Sequence, residues 1–261
     1  MMEATQEHAG LWPDLKKQFG NTGQFIRFAS RFFAFIFKRP IEGNEWLAQC
    51  FKTGYQSLPL VGITAFIMGL VMTIQSRPSL VTFGAESLLP GIVSFSIIKE
   101  IGPVITALVC AGKISSRMGA ELGSMRVTEQ IDAMEVSGII PYKFLVVSRT
   151  LATTLTVPIL TIFADAIGMF SSFIAANVHG DITFQRFIRL ALIRLDFIDI
   201  IPALIKSVLF GFVIGMIGCY KGYIATEGTA GVGKAANSAV VMASLTIFVI
   251  DFITVQITDL F

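Results

Sequence analysis

Five stretches of this sequence are long and apolar enough to cross a bilayer, and that pattern limits the fold more than any other feature of it. About 30 Å of hydrocarbon takes about 20 helical residues. No water is present there to satisfy backbone N–H and C=O groups, so each crossing closes its own hydrogen bonds as a helix. The runs fall at about residues 57–76, 88–112, 144–178, 201–219 and 237–258. The third is too long for one vertical crossing at 1.5 Å per residue. It has to tilt, break near Pro158, or project from the bilayer around Arg149. Composition agrees: 54% of residues are hydrophobic and 15% charged, against about 25% charged in soluble domains. An all-α, polytopic membrane protein with five transmembrane helices is expected.

Several other classes are excluded. His8 and His179 are too scattered for a metal site, and Cys50, Cys110 and Cys219 lie far apart with no C-x-x-C pair. A net charge of +2 says little about partners, and no nucleic-acid partner is expected. No metal, cofactor or catalytic residue is expected. The first twenty residues lack a continuous apolar core, so no cleaved signal peptide is expected.

Lys and Arg collect on the cytoplasmic side of a membrane protein. Before the first run stand Lys16, Lys17, Arg27, Arg31, Lys38, Arg39 and Lys52; Lys113, Arg117, Arg126, Lys143 and Arg149 follow the second, and Lys221 and Lys234 the fourth. The opposite side has Arg77, Arg186, Arg189 and Arg194. The N-terminus is therefore expected inside and the C-terminus outside. Residues 1–54 form a cytosolic and interfacial region, and 55–261 the membrane domain. The Phe-rich and basic stretch 24–39 reads as a helix lying in the interface or packed on the protein's own flank. Residues 180–200 have a similar mixed character on the outer side.

"EGTAGVGKAAN", residues 227–237, places Gly228, Gly233 and Lys234 at P-loop spacing. Ala235 stands where the motif needs a hydroxyl for Mg²⁺, and no strand precedes it. The glycines read as chain reversal, and Lys234 as an interfacial anchor.

The polar segment 113–140 separates the second and third runs. In it Met118, Leu122 and Met125 share one helical face, whereas Val127, Ile131 and Met134 share another about 180° away. Either the helix breaks near Arg126 to Thr128, or it is wedged between two apolar partners.

"KEIGPVITALVCAGKISSRMGAELGSMRVTEQIDAMEVSG", residues 99–138, resembles the signature of the MlaE (YrbE) permease family, and "YKGYIATEGTAGVGKAANSAVV", residues 220–241, is similar to that family's loop before the last helix. The resemblance runs from about residue 55 to the C-terminus. It implies the permease subunit of an ABC transporter in a bacterial inner membrane. The subunit would move phospholipid to or from a periplasmic MCE-domain protein and so maintain outer-membrane lipid asymmetry. ATP and Mg would be bound by a separate cytosolic ATPase, and the remaining partners would be a second copy of the chain and a small STAS-type cytosolic subunit. The segment corresponding to Ala120 through Met134 would hold the coupling helix, with Glu121, Leu122, Met125, Arg126, Glu129 and Asp132 at the ATPase. The absence of an internal repeat agrees with two copies, one lever each. Gly112-Lys113 stands where the family has Gly-Arg, which keeps the charge but loses the planar fork.

Charges inside the runs point to a polar interior. A mid-bilayer ion costs roughly 2.5 to 3.5 kcal/mol, against a gain of about 0.3 to 0.6 for a large apolar residue. The second run, with Lys99 and Glu100 in it, is therefore barely inserted alone. Lys206 and Asp251 stand at similar depth and are expected to pair or to share a network with Glu100; Asp165 lies nearer the level of Lys99 and Glu100. A lipid route is expected to involve Leu70, Ile74, Leu80, Phe83, Lys99, Glu100 and Ile101, with residues 76–91 as its mouth. Gly211 and Gly215 form a G-x-x-x-G face toward a second copy or toward the chain's own bundle. The rival reading is an ion-coupled secondary transporter or channel that uses Glu100, Asp165 and Asp251.

Overall fold

A computed structural model describes residues 11–36, 43–178, 182–193, 195, 197–226 and 228–258. His8, His179, Lys38, Arg39 and Arg194 lie outside these. The chain divides into two units, residues 1–41 and 42–261. The first contributes α1 (Leu11–Ile36), on which Ile26 and Phe33 are exposed.

The second unit holds α2 (Gly43–Thr53), α3 (Leu58–Thr82), α4 (Leu89–Ser96), α5 (Gly102–Cys110), α6 (Ser116–Val127), α7 (Gln130–Val136), α8 (Ser148–Asn177), α9 (Phe184–Leu192), α10 (Phe197–Tyr223) and α11 (Gly228–Thr258). No strand occurs among the described residues. Five continuous helical stretches are long and apolar enough to span: Gly43–Thr82, Glu86–Val127, Tyr142–Asn177, Ile200–Tyr223 and Gly228–Thr258. The protein is an all-α polytopic membrane protein.

Several boundaries differ from the sequence expectation. The second helical stretch does not stop at Gly112; π-helical turns at Ile97–Ile101 and Ala111–Ser115 join α4, α5 and α6 into one shaft. The polar residues after Gly112 resemble a loop in a hydropathy profile, yet Ser115 turns inward and donates from its hydroxyl to the Ile214 carbonyl at 2.9 Å. Pro158 sits inside α8, which does not break there. The long third run is one continuous helical stretch, Tyr142–Asn177, with a π-helical turn, Tyr142–Val147, at the foot of α8. The membrane unit also begins earlier than residue 55, because α2 buries Gln49 and Thr53 and packs on α8.

Small residues explain the packing. Between apolar helices in lipid, close approach of backbones supplies the attraction that water supplies elsewhere. On α3 the buried positions are Val61, Ala65, Gly69 and Thr73, one every four residues, while Ile63, Ile67, Val71 and Ile74 face outward. α11 repeats the device: Gly231, Ala235, Ala239, Ala243 and Ile247 are buried, whereas Leu245, Phe248, Phe252 and Ile253 are exposed. α8 is central, flanked by α3 and α10, and α6 is wedged between α10 and α11. Thr73 and Ser172 hydrogen-bond at 2.7 Å across the α3–α8 contact.

The glycine stripe of α10 settles its own partner. A side chain at Gly211 or Gly215 would strike Thr153 of α8, and one at Gly222 would meet the Leu122 side chain of α6 at 2.7 Å. The G-x-x-x-G face is therefore used inside the protein's own bundle.

Candidate functional site

Two constellations stand out: a charge triad inside the membrane-spanning part and a bent lever at one end. Lys206 on α10 is buried, with Nζ 2.7 Å from Glu100 Oε2 and 2.7 Å from Asp251 Oδ1. The contact to Glu100 has hydrogen-bond geometry. The contact to Asp251 is an ion pair whose angles miss that of a hydrogen bond. Glu100 reaches Lys206 from the π-helical turn Ile97–Ile101, where the extra residue per turn re-aims side chains; such turns gather at functional sites. Lys99 of the same turn places Nζ 5.0 Å from the Phe95 ring. Glu100 keeps the most contact with its surroundings, its side chain being 37% exposed.

Asp165 does not join this triad. Its Oδ1 has no hydrogen-bond partner and its carboxylate no ion pair among the described residues. Depth along a helix can be counted from sequence, but the direction in which the side chain leaves the helix cannot, and Asp165 leaves α8 toward Gly102.

The positions singled out for a lipid route divide. Ile74 and Phe83 are exposed, Phe83 at 82%; Leu70 and Ile101 are half-buried. Leu80 packs instead against the cluster of Leu89, Val93, Ile97, Ala176 and Phe187, which docks α9 onto α4. It is part of the protein's own packing at that end. Arg77 and Glu86 pair at 2.7 Å across the α3–α4 turn.

At the opposite end, α6 stops at Val127. Glu129 adopts the left-handed conformation at φ 58°, and α7 sets off in a new direction. The break and the wedge expected as alternatives both occur. Arg126 and Asp132 pair at 2.5 Å across the bend. Met118, Leu122 and Ile131 are fully buried, so Leu122 cannot meet a partner directly; it holds the lever in the bundle. Glu121 is committed as well, 3.4 Å from Arg149 of α8 and 3.6 Å from Arg117. Arg117 also donates from Nη1 to the Lys52 carbonyl at 2.9 Å, and Lys113 donates to the Gln56 carbonyl. The lever is thus tied to the α2–α3 junction, which periodicity alone does not reveal. Met125 is half-buried. Beyond the bend Glu129 and Asp132 are open to solvent with Val136, Ile139 and Ile140, Val136 at 91%.

The P-loop-like glycines serve the fold. Gly228 has φ +64° and opens α11, whose first turns carry Gly233 and Lys234, and the element before it is a helix. Lys221 and Lys234 border a shallow recess of about 150 Å³ there. No cluster of three or more metal-ligating side chains occurs among the described residues.

This is the architecture of a helical membrane protein with a buried charge centre and an exposed terminal lever. The profile of the family Permease MlaE matches residues 46–257. A probable ABC transporter permease protein of Rickettsia prowazekii is 35% identical over 241 residues, 92% of each chain. One of the same description from Synechocystis is 36% identical over 220 residues, 84% of each. The chloroplastic protein Trigalactosyldiacylglycerol 1 of Arabidopsis thaliana is 35% identical over 218 residues, 84% of this chain and 62% of the plant protein. The chain belongs to the MlaE permease family.

Proposed function

We propose that the chain is the membrane subunit of an ABC transporter that moves phospholipid between a bacterial inner membrane and a periplasmic MCE-domain protein, maintaining outer-membrane lipid asymmetry. Two copies form the transport unit. A separate cytosolic ATPase binds ATP and Mg, and a small STAS-type subunit completes the cytosolic side. The N-terminus is cytoplasmic and the C-terminus periplasmic, as the distribution of Lys and Arg favours.

The observation that carries this reading is the lever. A subunit that receives work from a separate motor needs a short element that is rigid at its root and bare at its tip. α6 is clamped between α10 and α11, while Val136, Ile139 and Ile140 lie open beside the acids of α7. Relatives described as ABC transporter permeases support the motor, and the plant relative, whose name is that of a glycolipid, supports a lipid cargo. On this reading Arg126, Glu129 and Asp132 meet the ATPase. Ile74, Phe83, Leu70 and Ile101 contact acyl chains near Lys99, and the Glu100–Lys206–Asp251 triad fixes helix packing beside that route.

The test is reconstitution with the neighbouring ATPase and MCE subunits in liposomes. Phospholipid co-purified between two copies and transferred only with hydrolysable nucleotide is expected. Transfer driven by an ion gradient without nucleotide would favour the secondary-transporter reading and overturn this one.

A further inference from the structure

The hollow between the end of α10 and the start of α11 lies outside both the charge triad and the lever. Its volume is about 150 Å³, and two lysines from different helices line it, Lys221 and Lys234, together with Thr226 and Ser238. Ala225, Gly231 and Ala235, small and buried, leave the space open. No Asp or Glu lines it among the described residues. Lys234 and Thr226 are exposed, Lys221 and Ser238 half-buried. The Lys221 ammonium stands 5.8 Å from the centre of the Tyr220 ring. The Ser238 hydroxyl makes a long bond, 3.3 Å, to the Ala235 carbonyl, which a better acceptor can replace.

Two ammoniums on the rim of one hollow, with no lining carboxylate, favour an anion there. A phosphate group suits the lining, because its several oxygens accept from lysines and hydroxyls at once. What the phosphate is attached to follows from the rest of α11. Along the helical face that carries Lys234 and Ser238 come Val241, Leu245, Phe248 and Phe252, and these four are exposed. Lys234 to Ser238 is about 6 Å at 1.5 Å per residue, and the polar layer on one side of a bilayer is about 5–8 Å deep. The hollow therefore stands at head-group level when the apolar face beyond it lies in hydrocarbon. A free phosphate gains nothing from that face, whereas a lipid occupies both parts. The lipid has to be acidic, since the phosphate of phosphatidylcholine is already balanced by its own trimethylammonium group.

We propose that the hollow between α10 and α11 binds the head group of an acidic phospholipid, with Lys221 and Lys234 on its phosphate and an acyl chain laid along Val241 and Leu245. The site is at the lever end rather than along the lipid route proposed above. Its test uses neither nucleotide nor transport, so either idea can fail alone.

Photo-cross-linking of the purified full chain in detergent tests it, with phosphatidylglycerol carrying a diazirine in one acyl chain as the probe. Label is expected on residues 238–248 of the wild type, displaced by unlabelled phosphatidylglycerol and several-fold less effectively by phosphatidylcholine. Lys221→Gln and Lys234→Gln should each weaken the apparent affinity about five-fold at low salt. Absence of label from that segment, equal displacement by phosphatidylcholine, or unchanged affinity in both variants overturns the proposal. Displacement by inorganic phosphate as effective as by phosphatidylglycerol at the same concentration would assign the hollow to a free phosphate and overturn the lipid. If the variants do not fold, the wild-type displacement series decides alone.

Discussion

Lys206 is the residue whose removal should be felt most widely, because it keeps two carboxylates apart in electrostatic terms as well as joining three helices. Breaking a buried pair by removing one partner costs about 3–5 kcal/mol; with Glu100 partly exposed, about 2–3 kcal/mol is expected for Lys206→Met. Combining it with Glu100→Gln and Asp251→Asn should recover most of the loss, measured as unfolding temperature in detergent. A triple variant no more stable than the single one would refute this account. The pairing of Lys206 with Asp251 was legible in the sequence because both lie a countable number of residues from the ends of their spans. The isolation of Asp165 was not legible, since azimuth depends on which helix packs on which side. Leu122 and Met125 show the same limit: periodicity puts them on one face, yet only Leu122 is fully buried, because Gly222 of α10 lets α6 come close at that level.

At the scale of elements, the bend and the small-residue contacts carry the predictions. Glu129 pays roughly 1 kcal/mol for its left-handed backbone. A β-branched residue fits that region worse, so Glu129→Val should lower stability by about 1–2 kcal/mol, whereas Glu129→Gly should be near neutral. Thermal melts of the two variants distinguish a strained bend from a relaxed one. Gly215→Leu would drive a side chain into Thr153 and the backbone at Thr150. Overpacking of this kind costs about 1–3 kcal/mol or more, and reduced yield of folded protein in membranes is the readout. Element type was legible throughout, because apolar runs and the reversal of the hydrophobic face between Met125 and Val127 need no tertiary information. The continuation of the second span into α6 was hidden, since Ser115, Arg117 and Glu121 are polar yet bond to their own bundle.

At the scale of the whole molecule, the exposed tip beyond the bend is the surface that the proposed ATPase would meet. Val136→Glu together with Ile139→Asp changes two exposed side chains, and surface changes of this kind usually stay within about 0.5 kcal/mol. The pair should leave the melting temperature in place and abolish co-purification of the ATPase; retained ATPase would remove α7 from the interface. If the functional unit is two copies, light scattering in detergent should give a protein mass twice 28.4 kDa.

On the proposed transport reading, the shaft from Leu89 to Val127 would also have a mechanical meaning. At 1.5 Å per residue it is about 58 Å long, so a push that tips its foot by about 10° swings the far tip by roughly 10 Å. Gearing of that kind needs stiffness along the beam. The two π-helical turns and Pro103 are the places where it can yield, and on that reading the load carried past them would set how much of each stroke arrives at the other side.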